Sequence, residues 1–540
     1  MIPAEVIVVG SGASGVHAAQ ALLEAGRRVV LVDAGEKDAH YAPLIPAKDF
    51  LTLRRTDPGQ HRYFLGDDFE GVPFGPVRVG AQLTPPRQFI TRLADRLAPV
   101  LSGEFAAMTS LALGGLAAGW GAASLPFIDD DLQGFPLSRA DLQPHYDRVA
   151  ARIGVCGDAH DALAPFMGPV NGMLPPARLD SNAASILKRY RRRSEAFARA
   201  GLHVGRARLA FCTVRHAGRG PARYHDMDFW SDHERAVYRP RYTIEELQRR
   251  FPDQFVLMMG CLAGSFEEDE RAGTVRLHCT EIATGERVVI DGQRLILAAG
   301  VFGTARLVAA SLGWDGRRLP LLCNPYTYFP ALNFNRIGAP AANRRHSLSQ
   351  LQMIHDPDGT RRHLLSPQLY SYRSLLLFKL VKEAFLGVRD SIGVLRELSE
   401  SFVILGVHHE DRPHPGKYVV ARKASGDSVA LEVHWQPTAS AERAQQRHEA
   451  RIRRFLLQLG CLPVGAVRPG PGSSIHYAGT FPMCERGGAA TCTPEGLLRA
   501  TKSVFLADGS TFPHLPAKGL TFTLMANADR VGGAVARSLR

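Results

Sequence analysis

Val6-Ile-Val-Val9, then Gly10-Ser11-Gly12-Ala13-Ser14-Gly15, then Arg28-Val-Val-Leu-Val-Asp33 form the stretch on which the fold turns. Four consecutive apolar residues read as a strand buried on both faces, the usual state of a parallel strand. The glycines follow at once. Gly10 permits a tight turn, Gly12 lets backbone approach a pyrophosphate, and Gly15 lets a helix pack closely on its strand. Val16 to Ala25 read as that helix, stopped by Gly26. Its first N–H groups attract phosphate. The second strand ends at Asp33, where a carboxylate accepts hydrogen bonds from an adenosine ribose. In this order the parts predict a βαβ unit that holds a dinucleotide. Ser11, Ala13 and Ser14 line its turn, and Ala34 lies just past the acid. The acid does not separate one dinucleotide from another.

Outward from this unit, residues 36–110 are rich in proline, glycine and charge and read as long loops with a helix near 88–100. Residues 107–123 are dense in glycine and alanine. Helical periodicity marks 139–153 and 182–201. Phe255–Met259, Thr274–His278 and Arg287–Ile290 read as consecutive strands, and Arg294 to Gly300 as a return to a buried strand ending at Ala299-Gly300. From 315 to 465 the pattern changes. Alternating strands at Tyr418–Arg422 and Val429–Trp435 precede a charged amphipathic helix at 440–459. Residues 466–540 return to glycine-rich turns, the buried strand Ser503–Asp508 and a last helix from about 521.

The chain has 540 residues, 45% of them hydrophobic and 22% charged, ample for a large core in more than one domain. Its net charge of +13 suits an anionic or carrier-bound substrate, or merely a basic surface. Nucleic acid is not expected, because the densest basic run, Lys188 to Arg193, is short and the remaining arginines lack the aromatic interleaving of single-strand binders. Eight cysteines run from Cys156 to Cys492 without a Cys-x-x-Cys pair, as in a reduced cytoplasmic protein. The N-terminus runs straight into a strand and has no leader pattern. No apolar stretch is long enough to cross a bilayer. Leu375 to Leu386, the nearest approach, reads as an amphipathic helix of core or lid. His408-His-Glu-Asp-Arg-Pro-His414 lacks metal-ligand spacing and reads as a loop, so no metal site is expected.

Three further segments carry chemistry: Ser474-Ile-His476-Tyr-Ala-Gly479-Thr480-Phe-Pro-Met483, Val504-Phe-Leu-Ala-Asp508-Gly509-Ser510-Thr-Phe-Pro513, and Gly519-Leu520-Thr521-Phe-Thr523 opening the last helix. In order and spacing they resemble the closing motifs of the glucose–methanol–choline family of flavin oxidoreductases. Leu113-Gly114-Gly115-Leu-Ala-Ala-Gly119-Trp120-Gly121-Ala122 resembles that family's loop beside the isoalloxazine, and its tryptophan is reminiscent of pyranose oxidase. Ala298 to Leu307 resembles the family's second signature. The resemblance implies an α/β chain with a Rossmann-like FAD-binding domain, discontinuous over 1–35, 105–125, 255–312 and 466–540. A lid spans 36–104. An α+β antiparallel-sheet substrate domain comes from 126–254 and 313–465.

By the same resemblance the chain oxidises an alcohol by proton abstraction and hydride transfer to flavin N5. His476 matches the family's active-site histidine, and an imidazole with a reference pKa near 6.5 suits a base. Gly119 stands where pyranose oxidase carries its flavin-linking histidine, which implies non-covalent FAD. Asp508 and Gly509 fall by the ribityl or pyrophosphate, Leu520 and Thr521 by the pyrimidine edge, and Leu262 by the adenine. One departure stands out: the family pairs its histidine with a second His or Asn, and Gly519 occupies that place. His514 or Lys518 is then the candidate substitute. Two alternatives stay open, a same-fold flavoenzyme doing other C–H oxidation such as desaturation, and a flavin-binding protein without catalysis. The substrate is expected to be a small molecule, and the electron acceptor is oxygen or a redox carrier.

Overall fold

The computed structural model describes residues 4–72, 84–342, 344–371, 387–423 and 429–539. Its central element is a five-stranded parallel sheet. The parts, in chain order, are β1 (Val6–Val9), α1 (Ala13–Glu24), β2 (Val29–Asp33), β3 (Phe255–Met259), β4 (Arg294–Leu297), α2 (Gly300–Leu312), β5 (Val504–Leu506) and α3 (Thr521–Ser538). The strand order is β5-β4-β1-β2-β3, with Val6 opposite both Val29 and Arg294. Every residue of β1, β2 and β5 is buried. The continuous apolar runs arise from this, because helices and further sheet cover both faces.

A three-stranded antiparallel meander, Cys261–Asp269, Thr274–Glu281 and Arg287–Gly292, carries the chain from β3 to β4. The sequence reading placed β3 and two of these strands but missed Cys261–Asp269. Its Gly264, Glu267, Glu268 and Asp269 are residues depleted in strands. The expected helix over 182–201 is two helices, Ser181–Arg191 and Ser194–Arg199. The strands expected at 418–422 and 429–435 pair with each other. They belong to a four-stranded sheet with Arg318–Pro320 and Val100–Leu101.

A six-stranded antiparallel sheet forms a second layer, in the order Cys461–Pro463, Tyr326–Asn333, Phe402–His408, Ser366–Tyr370, Leu351–His355, Leu202–Arg206. Its alternation decides what each face does. Phe329, Ala331, Val403, Leu405, Val407 and Leu369 point into one apolar cluster. Ile186 and Leu187 of helix Ser181–Arg191 and Ile452, Phe455 and Leu456 of helix Ala439–Gln458 complete that cluster. Strand residues of the other parity, Tyr326, Gly406 and His408 among them, therefore face away from those helices. Tyr326 and His408 are direct cross-strand partners.

All eight cysteines are free thiols. No helix among the described residues is long and apolar enough to cross a membrane. The amphipathic segment Leu375 to Leu386 lies outside the described residues.

Candidate active site

The glycine turn is built as the residue types require. Gly10 has φ +100°, and a Cβ there would lie 2.5 Å from the Ala298 carbonyl oxygen. A Cβ on Gly15 would lie 1.7 Å from the Gly10 oxygen. Gly12 is different. Its backbone is extended, and a Cβ would meet nothing nearer than the Gly114 oxygen at 3.9 Å. The space beside it is open, and the fold does not need it to be a glycine. Gly12 is also the N-cap of α1, with no side-chain cap on the helix N–H groups. Those N–H groups and their partial positive charge face the turn, ready for an anion.

Asp33 is buried at the end of β2. One carboxylate oxygen accepts from the Ser11 N–H at 2.6 Å and the other from the Gly35 N–H at 2.6 Å. Burial pushes its pKa up to about 6 against these hydrogen bonds. The carboxylate, which the Ser11 side chain also approaches, keeps acceptor capacity for a further hydroxyl donor. The Ala34 oxygen accepts from Gly260 N–H, and Leu262 follows on the first meander strand. The Gly114-Gly115 loop lies against the same turn: Gly114 N–H donates to Ser11 Oγ at 2.9 Å, and a Cβ on Gly115 would be 3.2 Å from Gly12 Cα. Beyond it, Gly119 is buried, Gly121 is partly exposed, and Ala122 is buried with φ 60°. Trp120 donates its indole N–H to the Tyr238 oxygen at 2.8 Å. The N-cap residues of α2 and α3, Ala299 and Leu520, also leave their helices without side-chain caps. Gly300 is exposed at the first of these ends. Asp508 is taken up by the protein itself, accepting from Thr304 Oγ1 at 2.6 Å and Ser510 N–H at 2.9 Å. It ties α2 to the turn Gly509–Thr511, which orients that turn.

His476 lies where a two-residue ladder fixes it. Leu322-Cys323 pairs with Tyr477-Ala478, which sets Asn324 beside the imidazole. Asn324 Nδ2 donates to the His409 oxygen at 2.7 Å and the Pro516 oxygen at 3.0 Å. With both donors spent, its Oδ1 is the atom that faces His476 Nδ1, at 3.2 Å. An oxygen acceptor requires Nδ1 to carry the proton, so Nε2 keeps the lone pair. Burial pushes the His476 pKa down to about 4, which keeps the ring neutral at pH 7. The preceding residue, the β-branched Ile475, has φ 61°, a strained conformation of the kind that persists where the surroundings enforce it. His408 stacks on His476 with ring centroids 4.6 Å apart and planes at 18°. A Cβ on Gly519 would lie 4.0 Å from His476 Cε1. Gly519 thus borders the imidazole, at the place where the motif spacing put it.

Neither expected substitute for the missing partner meets His476. The Lys518 ammonium is fully buried and bonds to the Asp131 carboxylate and the Phe166 oxygen. His514 Nε2 bonds the Asp131 oxygen at 3.0 Å. Lys518 turns to the Asp131 carboxylate because a buried ammonium requires a counter-charge, and His514 is held by the backbone carbonyl of the same residue. The groups that meet His476 are Asn324 and His408, which motif reading did not find. His408 was read as part of a loop; it closes a strand and packs on the site.

Residues 5–43 match the family described as FAD binding domain. The chain is a flavoprotein. No curated protein matches the sequence. Among solved structures the fold is similar to pyridoxine 4-oxidase from Mesorbium loti, with a TM-score of 0.57 and 15% identity over 99% of each chain. The family match places an FAD-binding segment at residues 5–43, and the structural likeness shows a shared fold. The residues present fit FAD: an uncapped helix end, an open cradle at Gly12 and an acid at the end of β2.

Proposed function

We propose that this flavoprotein oxidises the hydroxyl-bearing carbon of a small-molecule alcohol. The observation that supports this most directly is the contact of His476 Nδ1 with Asn324 Oδ1 at 3.2 Å. Asn324 holds Nδ1–H, so Nε2 presents a lone pair beside the open side of Gly519. A neutral imidazole there accepts the hydroxyl proton, and the carbinol C–H becomes a hydride donor as that proton leaves. When bound, FAD supplies the hydride acceptor. In this reading Gly10 to Gly15 and the N-terminus of α1 hold its pyrophosphate, and Asp33 its adenosine ribose. Leu262 lies by the adenine, and the N-terminus of α3 at Leu520 and Thr521 by the pyrimidine edge. Gly119 leaves the flavin without a covalent link.

The test is an anaerobic screen of pyridoxine, benzyl alcohol, choline, glucose and 1-octanol, followed by loss of the yellow flavin absorbance. Bleaching with formation of the matching aldehyde or ketone is expected for at least one. Desaturated product, or no bleaching by any alcohol, sinks the reading. Adding an anionic alcohol, pyridoxine 5′-phosphate, and carrying out the screen at low and high salt tests the substrate's charge. Attraction between exposed charges is screened beyond about 10 Å at 0.1 M salt, so an anionic substrate loses affinity and a neutral one does not. Flavin released intact from denatured protein is the expected sign of non-covalent binding.

A further inference from the structure

We infer that His408 is the second catalytic imidazole of this site, the hydrogen-bond donor to the substrate hydroxyl. The inference rests on the alcohol-oxidation reading above. Its origin is the sheet face: His408 is the last residue of strand Phe402–His408, on the parity that points away from the apolar helix layer. Tyr326 across the strand packs on its ring at 4.7 Å. His476 packs on it at 4.6 Å.

The tautomers complement each other. His408 Nδ1 is buried with no partner. A buried nitrogen without a partner is better left as a lone pair than as an N–H, since orphaned buried donors are the rarer kind. The proton of the neutral ring then sits on Nε2. His476 has the opposite assignment, with Nδ1–H fixed by Asn324 and Nε2 bare. One imidazole accepts and the other donates. That is the pair an alcohol oxygen requires, because it gives one proton and accepts another. The step balances without further reagents. The O–H proton goes to His476 Nε2, the C–H leaves as hydride to FAD, and the C–O bond becomes C=O. His408 keeps its proton and stabilises negative charge on the oxygen while it lasts. Gly519 has no side chain for this task, and the antiparallel sheet supplies one from the opposite wall.

Three variants of the holoenzyme and one measurement on the unmodified protein test this. With pyridoxine and benzyl alcohol as probes, His408→Phe keeps the stacking ring but loses the donor, and flavin reduction is expected to slow by about 10-fold to 10³-fold with FAD content unchanged. His408→Gln places an amide N–H near the Nε2 position and is expected to recover most of that loss. Phe reacting within twofold of the parent, or Gln and Phe losing equally, overturns the role. His476→Ala serves as the control for the parent reading: if it reduces normally, the alcohol mechanism fails regardless of His408. Should the His408 variants fail to fold, ¹⁵N NMR of the histidines in the unmodified holoenzyme decides. His408 as the Nε2–H tautomer opposite His476 as the Nδ1–H tautomer supports the donor role, and His408 as Nδ1–H removes it.

Discussion

The general base proposed here, His476, is useful only in its unprotonated form; burial holds it in that form and Asn324 selects the tautomer. Ordinary imidazole protonates near pH 6.5; here desolvation of the charged ring holds the value at about 4. Falling pH therefore reaches the base late. The rate of flavin reduction by an alcohol is expected to stay level from neutral pH to about 5 and to fall only below that, with His408, the titratable ring stacked on His476 among the described residues, held neutral by burial as well. An acid limb centred near 6.5 in anaerobic reduction kinetics would show that the ring is better solvated than its surroundings imply. His476→Ala should keep FAD and slow reduction by roughly 10²-fold or more. Lys518 makes the opposite case. Its neighbourhood in sequence suggested a part in chemistry, and its side chain gives it a part in stability. Lys518→Met leaves Asp131 buried without its cation, at a cost of about 3–5 kcal/mol. The urea midpoint should fall accordingly, while folded, FAD-loaded molecules reduce at the parent rate; a specific loss of reduction with unchanged stability would return Lys518 to the active site.

Glycines within one turn separate structural from functional need. Gly10 and Gly15 are demanded by backbone atoms at 2.5 and 1.7 Å from any Cβ, so alanine at either disrupts the turn itself. Gly12 has an extended backbone open to any residue and ordinary contact distances around a Cβ. Gly12→Ala is expected to fold with its thermal midpoint almost unchanged and to lose FAD affinity by at least about 10-fold, because the methyl occupies the approach of the pyrophosphate. Fluorescence titration of the apoprotein with FAD measures this, and unchanged affinity would mean that the cradle lies elsewhere. This turn was legible in the sequence because its strand, glycines, helix and acid are contiguous and each residue type has one local reason. The histidine motif and Gly519 were legible for the same reason. Asn324 and His408 were not. Asn324 is set beside His476 by a ladder of two residue pairs joining segments more than a hundred positions apart. His408 depends on which face of a strand turns from the helices, and its loop-like neighbours Arg412, Pro413 and His414 masked the strand. Lys518 and His514 misled because adjacency along an irregular segment does not fix side-chain direction, and Asp131, far away in sequence, does.

Taken as a whole, the molecule buries several imidazoles, and these shape how its stability responds to acid. His17 and His409 are pushed down to about 3, and His346, His448, His476 and His514 to about 4, in each case first by desolvation of the charged ring. In the unfolded chain each of these protonates near 6.5. Between that value and about 4 the unfolded state therefore holds more protons than the folded one, and stability rises with pH in this window and falls as pH falls through it. Buried carboxylates act in the other direction, with Asp131, Asp161, Asp228, Asp232, Asp411 and Asp508 also raised by burial. Burial raises Asp33 to about 6 and Asp226 to about 7, so the folded state takes up protons there that the unfolded chain does not. His203, His225, His355 and His408 are pushed down as well, and over pH 6.5 to 5 the histidines are expected to set the sign, because a carboxylate that starts near 3.8 counts there only when raised by more than about one pH unit. The FAD-loaded protein is thus expected to lose several kcal/mol between pH 7 and pH 5, at up to about 1.4 kcal/mol per pH unit for each fully uncoupled proton. Urea unfolding with FAD in fixed excess at the two pH values measures the difference. An unfolding midpoint at pH 5 equal to or above that at pH 7 would mean that the buried rings take up protons without unfolding, through water or a counter-charge that the packing around them does not provide.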